Sequence, residues 1–159
     1  MNPSHGTSAP PVISPPEGSA LPESLVAAYL STAYRVLPAV GMEGFTLQVG
    51  VAQPRLVELM QRHQSVSAAF ITAWNPYGKL LPAAENRERN ERLRTVLMQR
   101  GLAHWPGFGE DTQGSWSGEQ SFLVLGLELA TVRHLVTAFE QNAFIWAEND
   151  GAARLIFLR

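Results

Sequence analysis

The chain has 159 residues, 45% of them apolar and 16% charged, with a formal net charge of −2. That balance suits one globular domain with a sizeable core and leaves no basic footprint for nucleic acid or an anionic membrane. Cysteine is absent, which excludes disulfides, thiolate zinc sites, iron–sulfur ligation and cysteine nucleophiles. No apolar run approaches the ~18 residues a membrane helix needs. The first Lys or Arg is Arg35, so neither a secretory signal nor an Arg-rich transit peptide is expected, and the expected location is cytoplasmic.

Residues 1–22 hold six of the eleven prolines among Ser, Gly and Thr. Such a segment buries too little apolar surface to offset its ordering entropy, and it reads as a disordered, partly polyproline tail. The folded domain is expected over 23–159. A helix from about Glu23 to Val36 carries Val26, Tyr29, Leu30 and Ala33 at helical spacing. "FTLQVGV", Phe45 to Val51, alternates as a strand does. Pro54 suits the first turn of a second helix with Leu56, Val57 and Met60 along one stripe. "AAFITAW", Ala68 to Trp74, is an apolar run of strand length, as expected of a strand covered on both faces.

The longest helix follows, from about Pro82 to Arg100, closed by Gly101. After it come an extended piece, "LAHWPGF", a polar glycine-rich connection, "GEDTQGSWSGEQ", and a buried strand, "SFLVLGL". Leu129, Val132, Leu135, Val136 and Phe139 mark a last helix. Two strands around Asp150-Gly151 form a hairpin signal at the end. The expected order is α-β-α-β-α-β-β-α-β-β. It implies an α+β fold: a single mixed sheet of about five or six strands with helices packed on it.

Two features of "TAWNPYGKLLPAAENRERN" separate on inspection. Asn75-Pro76-Tyr77-Gly78 matches a type I turn, with Asn at its first position, Pro at its second and Gly at its fourth. The helix after it is less ordinary. At 100° per residue, Leu93, Val96 and Leu97 define an apolar face whose N-terminal extension carries Asn86, Arg89 and Asn90, with Glu85 at its margin. Arg87, Glu88, Glu91, Arg94 and Thr95 fall on the opposite side. Burying the three polar groups unpaired costs a few kcal/mol, so they face either protein partners or a ligand. The balance lies with an internal network, because most buried polar groups are satisfied by the protein itself.

"FITAWNPYG", the "EN…RN" helix, "DTQGSWSGEQSFLVLGL" and "FEQNAFIW" together resemble a family of small bacterial proteins described as a domain of unknown function, number 3293. The resemblance runs from about Tyr29 to Arg159. The family pattern carries glycine where this chain has Glu140, and Ser or Thr where it has Pro82. It implies a bacterial origin and a single α/β domain, and it supplies no activity or catalytic residue.

Gln141, Asn142 and Trp146 form a second polar and aromatic group; Asn142 reads as a left-handed helix end or as a second contributor to the same pocket, and Trp146 as core. Gly107, Gly109, Gly114 and Gly118 do not make a phosphate loop, since no Gly-Lys-Ser/Thr follows and the next element is a strand. Trp116 in that connection is expected to pack down on the sheet edge or the pocket. His5, His63, His104 and His134 lack metal-ligand spacing, so no metal is expected, nor any cofactor. No serine has a nucleophile-elbow context.

The leading expectation is therefore a domain that binds a small polar or anionic ligand near Asn75, Asn86, Arg89 and Asn90, with Asn142 as a further contributor. Glu85 would be its general acid or base and Arg89 its anion clamp. The alternative is a protein–protein interaction or regulatory module without chemistry, recruited through the proline-rich tail.

Overall fold

The apolar run that begins at Ala68 sends Ala68 and Phe70 into one buried cluster and Ala69 and Ile71 into another. A strand that feeds two cores must be covered on both faces, and this one is. In a computed structural model, residues 12–13, 21–112 and 118–158 are described. Their elements in chain order are β1 Val12–Ile13, α1 Glu23–Ser31, β2 Thr32–Val36, β3 Phe45–Leu47, α2 Pro54–Arg62, β4 Ala68–Ile71, a 3₁₀ turn Pro76–Gly78, α3 Ala83–Gln99, β5 His104–Asp111, β6 Glu119–Leu125, α4 Leu129–Ala138, β7 Ala143–Ala147 and β8 Arg154–Phe157.

The strands lie in the order β1-β8-β7-β4-β6-β5-β2-β3. From β8 to β3 every neighbouring pair is antiparallel; β1 adds only a parallel edge through Val12–Leu155 and Ile13–Ile156. The sheet thus has seven antiparallel strands and this short edge, more than the five or six expected. The tail expected over 1–22 otherwise lies almost wholly outside the described residues. Leu56, Leu59 and Met60 of α2 pack on one face with Tyr34, Leu47 and Phe157. Leu93 and Leu97 of α3 and Val132 and Val136 of α4 pack on the other with Trp146 and Ile156. No helix among the described residues is long and apolar enough to cross a membrane.

The additional strand is β2, which the helical spacing of Val26, Tyr29, Leu30 and Ala33 absorbs into a helix reaching Val36. The chain changes period at Thr32: from there Thr32, Tyr34 and Val36 are buried at every second position. Val36 fits either pattern, three residues beyond Ala33 on a helix and two beyond Tyr34 on a strand, which is why spacing alone does not show the break. Two β-hydroxyls close α1, with Ser31 and Thr32 both donating to the carbonyl of Ala28 at 3.2 and 2.6 Å. β2 then finds hydrogen-bonding partners on both sides, β3 and β5, which no continued helix could use.

Gly107 and Gly109 belong to β5, inside the sheet and outside any loop. A Cβ on Gly107 would stand 2.6 Å from the Phe70 ring and 2.8 Å from the Arg35 carbonyl oxygen. Because the Arg35 oxygen is backbone in a paired strand, it cannot yield. Gly107→Ala is expected to cost about 2 kcal/mol in chemical denaturation, as overpacked cores do; a loss below ~0.5 kcal/mol would show that the Phe70 ring moves aside freely.

Candidate functional site

β4 ends at Ile71, three residues earlier than its apolar pattern suggests, and the backbone from Ala73 to Asn75 needs hydrogen-bond partners. Helix α3 supplies them with side chains. The Asn90 amide oxygen accepts from the Ala73 N–H at 2.8 Å, Arg89 Nε donates to the Ala73 carbonyl at 2.8 Å, and the Asn86 amide oxygen accepts from the Asn75 N–H at 2.8 Å. Three groups on one face of the helix thus stand in for a neighbouring strand. Each is engaged on its other side as well. Asn86 Nδ2 donates to Asn75 Oδ1 at 2.7 Å, Asn90 Nδ2 to the Gln120 carbonyl at 2.7 Å, and Arg89 Nη2 to the Phe139 carbonyl at 2.6 Å. Arg89 Nη1 lies 3.6 Å from the Glu140 carboxylate. Asn86 and Asn90 are buried together with Leu93 and Leu97, as the helix face required.

The Asn75–Gly78 turn departs from the expected type. The Gly78 N–H does donate to the Asn75 carbonyl at 2.9 Å. Tyr77, however, takes φ +52° and ψ +28°, a left-handed third position that a type I turn lacks. Asn75 is also left-handed, at φ +47°. Such backbone in non-glycine residues costs about 1–3 kcal/mol each and persists only where the surroundings dictate it. The surroundings here are the bonds from α3 and one from the Tyr77 N–H to the Glu140 carbonyl at 2.6 Å.

Glu140 itself is the left-handed residue that follows α4, at φ +59°, so the expectation that Asn142 fills that place does not hold. Only glycine would enter this region without strain. Pro82, in the helix-capping place, gives α3 no side-chain cap.

With α3 accounted for, a different group of polar side chains remains. Asn142 is 3% exposed, and its amide oxygen has no hydrogen-bond partner among the described residues. Its side chain lies near enough to the Tyr29 hydroxyl to favour the ionised phenol, and Tyr29 in turn feels the charge of Glu119. Glu119, the first residue of β6, lies near enough to the side chain of Asn75 for that amide to favour its ionised form. Asn75 Oδ1 is already filled by the Leu81 N–H and Asn86 Nδ2, so its amide nitrogen is the atom left for Glu119. Four elements converge: α1 through Tyr29, the post-β4 turn through Asn75, β6 through Glu119 and the α4–β7 connection through Asn142. Gly78 closes on it, with the direction a Cβ would take pointing 3.8 Å from Asn142 Nδ2.

Asn142 is buried while Tyr29, Asn75 and Glu119 are half-buried, and partial loss of water sets the electrostatics of the group. Burial pushes the Glu119 carboxyl up to about 7, with the Asn75 amide opposing only in part. Burial likewise pushes the Tyr29 phenol up to about 12, against the Asn142 side chain. Tyr34, deeper still, is raised by burial first and donates to the Tyr29 carbonyl at 2.7 Å. A carboxyl poised near neutrality can hold or release a proton where exposed carboxylates cannot.

Of the residues singled out from sequence, Asn75 and Asn142 meet in this group, while Asn86, Arg89 and Asn90 form the layer behind it that holds Asn75. Glu85 is exposed in the first turn of α3, with no hydrogen bond or ion pair to the group among the described residues. Sequence reasoning misses Glu119 and Tyr29. Glu119 falls within the polar glycine-rich connection and Tyr29 on the apolar spacing of a helix; no local pattern marks either. Trp116 and Gly114 lie outside the described residues. A separate cleft of about 470 Å³ opens between the β2–β3 connection and α2, where Glu43 and Arg55 pair at its rim. Among the described residues no three His, Asp or Glu side chains gather closely enough to hold a metal ion.

No curated protein and no solved structure matches the chain. A family model does, over residues 71–144. That span runs from the last residue of β4 to the second of β7, and contains Asn75, Asn86, Arg89, Asn90, Glu119 and Asn142 but not Tyr29. Over it, the chain resembles the family described as protein of unknown function (DUF3293).

Proposed function

We propose that this domain binds a small polar ligand at the group formed by Tyr29, Asn75, Glu119 and Asn142, with α3 as the scaffold that positions it. The observation that carries the reading is the amide oxygen of Asn142, buried and unpartnered among the described residues. A buried acceptor left unmade costs about 1–3 kcal/mol, and a ligand donor would relieve that cost. Strained backbone at Asn75 and Tyr77 and a carboxyl raised to near neutrality at the same place support the reading. Should the ligand react, Glu119 is the group that would exchange a proton with it, in the role expected from sequence of Glu85.

The test is a melting-temperature screen of the full chain against a library of polar metabolites. A ligand at about a hundredfold excess over its Kd adds about 2.7 kcal/mol, a rise of roughly 5–10 °C for a domain of this size. The rise should disappear in Asn142→Ala and in Glu119→Gln and persist in Arg62→Ala, which lies in the other cleft. A rise that survives both site substitutions, or vanishes only with Arg62→Ala, would move the binding site elsewhere.

A further inference from the structure

The cleft of about 470 Å³ beside α2 shares no residue with the Tyr29–Asn75–Glu119–Asn142 group. Its lining includes Phe45 and Leu59, both buried, and half-buried Met42. One wall is the β2–β3 connection, where Ala39 and Met42 exchange backbone hydrogen bonds of 3.1 and 3.0 Å across a turn with Val40 and left-handed Gly41 at its tip. Leu37, Pro38, Ala39 and Val40 run consecutively and are all exposed. A single exposed apolar side chain is ordinary, whereas an unbroken apolar run of this length on the surface marks a place of contact. The other wall is α2, whose Arg55, Glu58 and Arg62 share one helix face at i, i+3 and i+7. Arg55 is committed, to the Glu43 carboxylate at 2.5 Å and the Gly44 carbonyl at 3.5 Å. The exposed side chains of Glu58 and Arg62 make no hydrogen bond or ion pair among the described residues, with each other or with any neighbour.

We infer that this face is covered by a second copy of the chain, related by a twofold axis. The order of the charges along α2 carries the inference. Two α2 helices laid antiparallel bring Glu58 against the partner's Arg62 and Arg62 against the partner's Glu58, so one pair of residues makes two reciprocal ion pairs. A twofold contact demands that kind of self-complementarity, because each residue that meets another is met by it in return. A small ion is the poorer occupant: an anion at Arg62 stands beside Glu58, and a cation at Glu58 stands beside Arg62. The same rotation sets each Leu37–Val40 run and its cleft against their counterparts and takes the exposed loop out of water. Apolar burial supplies most of the affinity, and the charges fix register and orientation.

Sedimentation equilibrium of the full chain is the test. The wild type is expected to be half dimeric at on the order of 10 µM, the affinity of a contact of small area. Glu58→Arg and Arg62→Glu should each weaken association at least about tenfold, since each change sets two pairs of like charges face to face. Two results belong to a twofold contact alone. The double variant Glu58→Arg/Arg62→Glu restores both pairs with their signs exchanged, and should associate within about threefold of the wild type. An equimolar mixture of the two single variants should form a heterodimer, although neither forms a homodimer of comparable strength. Val40→Asp should weaken association as well. Because these side chains are exposed, every variant should keep the melting temperature of the monomeric wild type within about 3 °C, measured below the dimerisation range. A chain that stays monomeric up to about 200 µM would overturn the inference. So would a dimer that the two single charge changes leave intact, or a weakening that the double variant does not reverse.

Discussion

Replacing Asn86 and Arg89 together by alanine is expected to lower the unfolding free energy by on the order of 4 kcal/mol, read from the denaturant midpoint at unchanged slope. The double change strips partners from the Asn75 N–H and the Ala73 carbonyl, and takes one of two donors from the Phe139 carbonyl, which keeps Gln141 Nε2 at 3.2 Å. Each of the two backbone groups left unmade costs about 1–3 kcal/mol, and they share one neighbourhood, so their costs will not add fully. Arg89 adds its pairing with Glu140, which is half exposed and contributes tenths at most. The exposed Glu85→Ala is the control and should stay within about 0.5 kcal/mol of the parent. A double mutant that loses less than ~1 kcal/mol would mean that water reaches these groups without cost, and that α3 does not hold the turn.

Stability should also fall as pH rises from about 4.5 to about 7, the reverse of what most carboxylates do. Burial raises the Glu119 carboxyl from 4.5 to about 7 in the folded chain. Between those values the folded protein keeps a proton that the unfolded chain has already released. The stabilising contribution is therefore complete below about pH 4.5 and gone above about pH 7. The shift corresponds to at most about 3 kcal/mol, since Glu119 keeps some contact with solvent.

Asp150 acts in the opposite sense and outside this window. Its carboxyl is lowered, with burial opposing the Arg154 and backbone hydrogen bonds that outweigh it, so its contribution is lost only as pH falls below about 3.8. Urea denaturation of the wild type and of Glu119→Gln at half-unit steps from about pH 4.5 to 8 isolates the effect. The wild-type curve should slope downward and the variant should lie flat. A wild-type curve that is flat or rises would show that Glu119 is ionised and solvated in the folded state.

How far the sequence leads differs between the fold and the site. Leu93, Val96 and Leu97 are enough to orient α3, because helical geometry sets direction from spacing alone; Asn86, Arg89 and Asn90 lie where that arithmetic puts them. The double coverage of β4 is legible in the same way, from an apolar run with no polar alternation. The α+β class follows from the sequence of periods. The exception is local: at Thr32 the chain passes from helix to strand within a stretch that satisfies both periods, and only the waiting edges of β3 and β5 decide the matter.

The site is another kind of problem. Whether a buried asparagine serves the protein or a ligand depends on which groups stand opposite it, and those come from segments far away in the chain: Ala73 faces Asn90, Phe139 faces Arg89, Tyr29 faces Asn142. Glu119 acquires its character the same way, since a carboxyl in a glycine-rich connection becomes a near-neutral acid only when folding removes its water. The sequence by itself determined the periodic elements, the excluded cysteine chemistries and the polar face of α3, because these depend on spacing and composition. Only the tertiary structure decided that this face bonds the backbone after β4 and that the Asn142 amide oxygen is left without a partner among the described residues, because hydrogen-bond partners and desolvation are set by residues that meet in space and never in sequence.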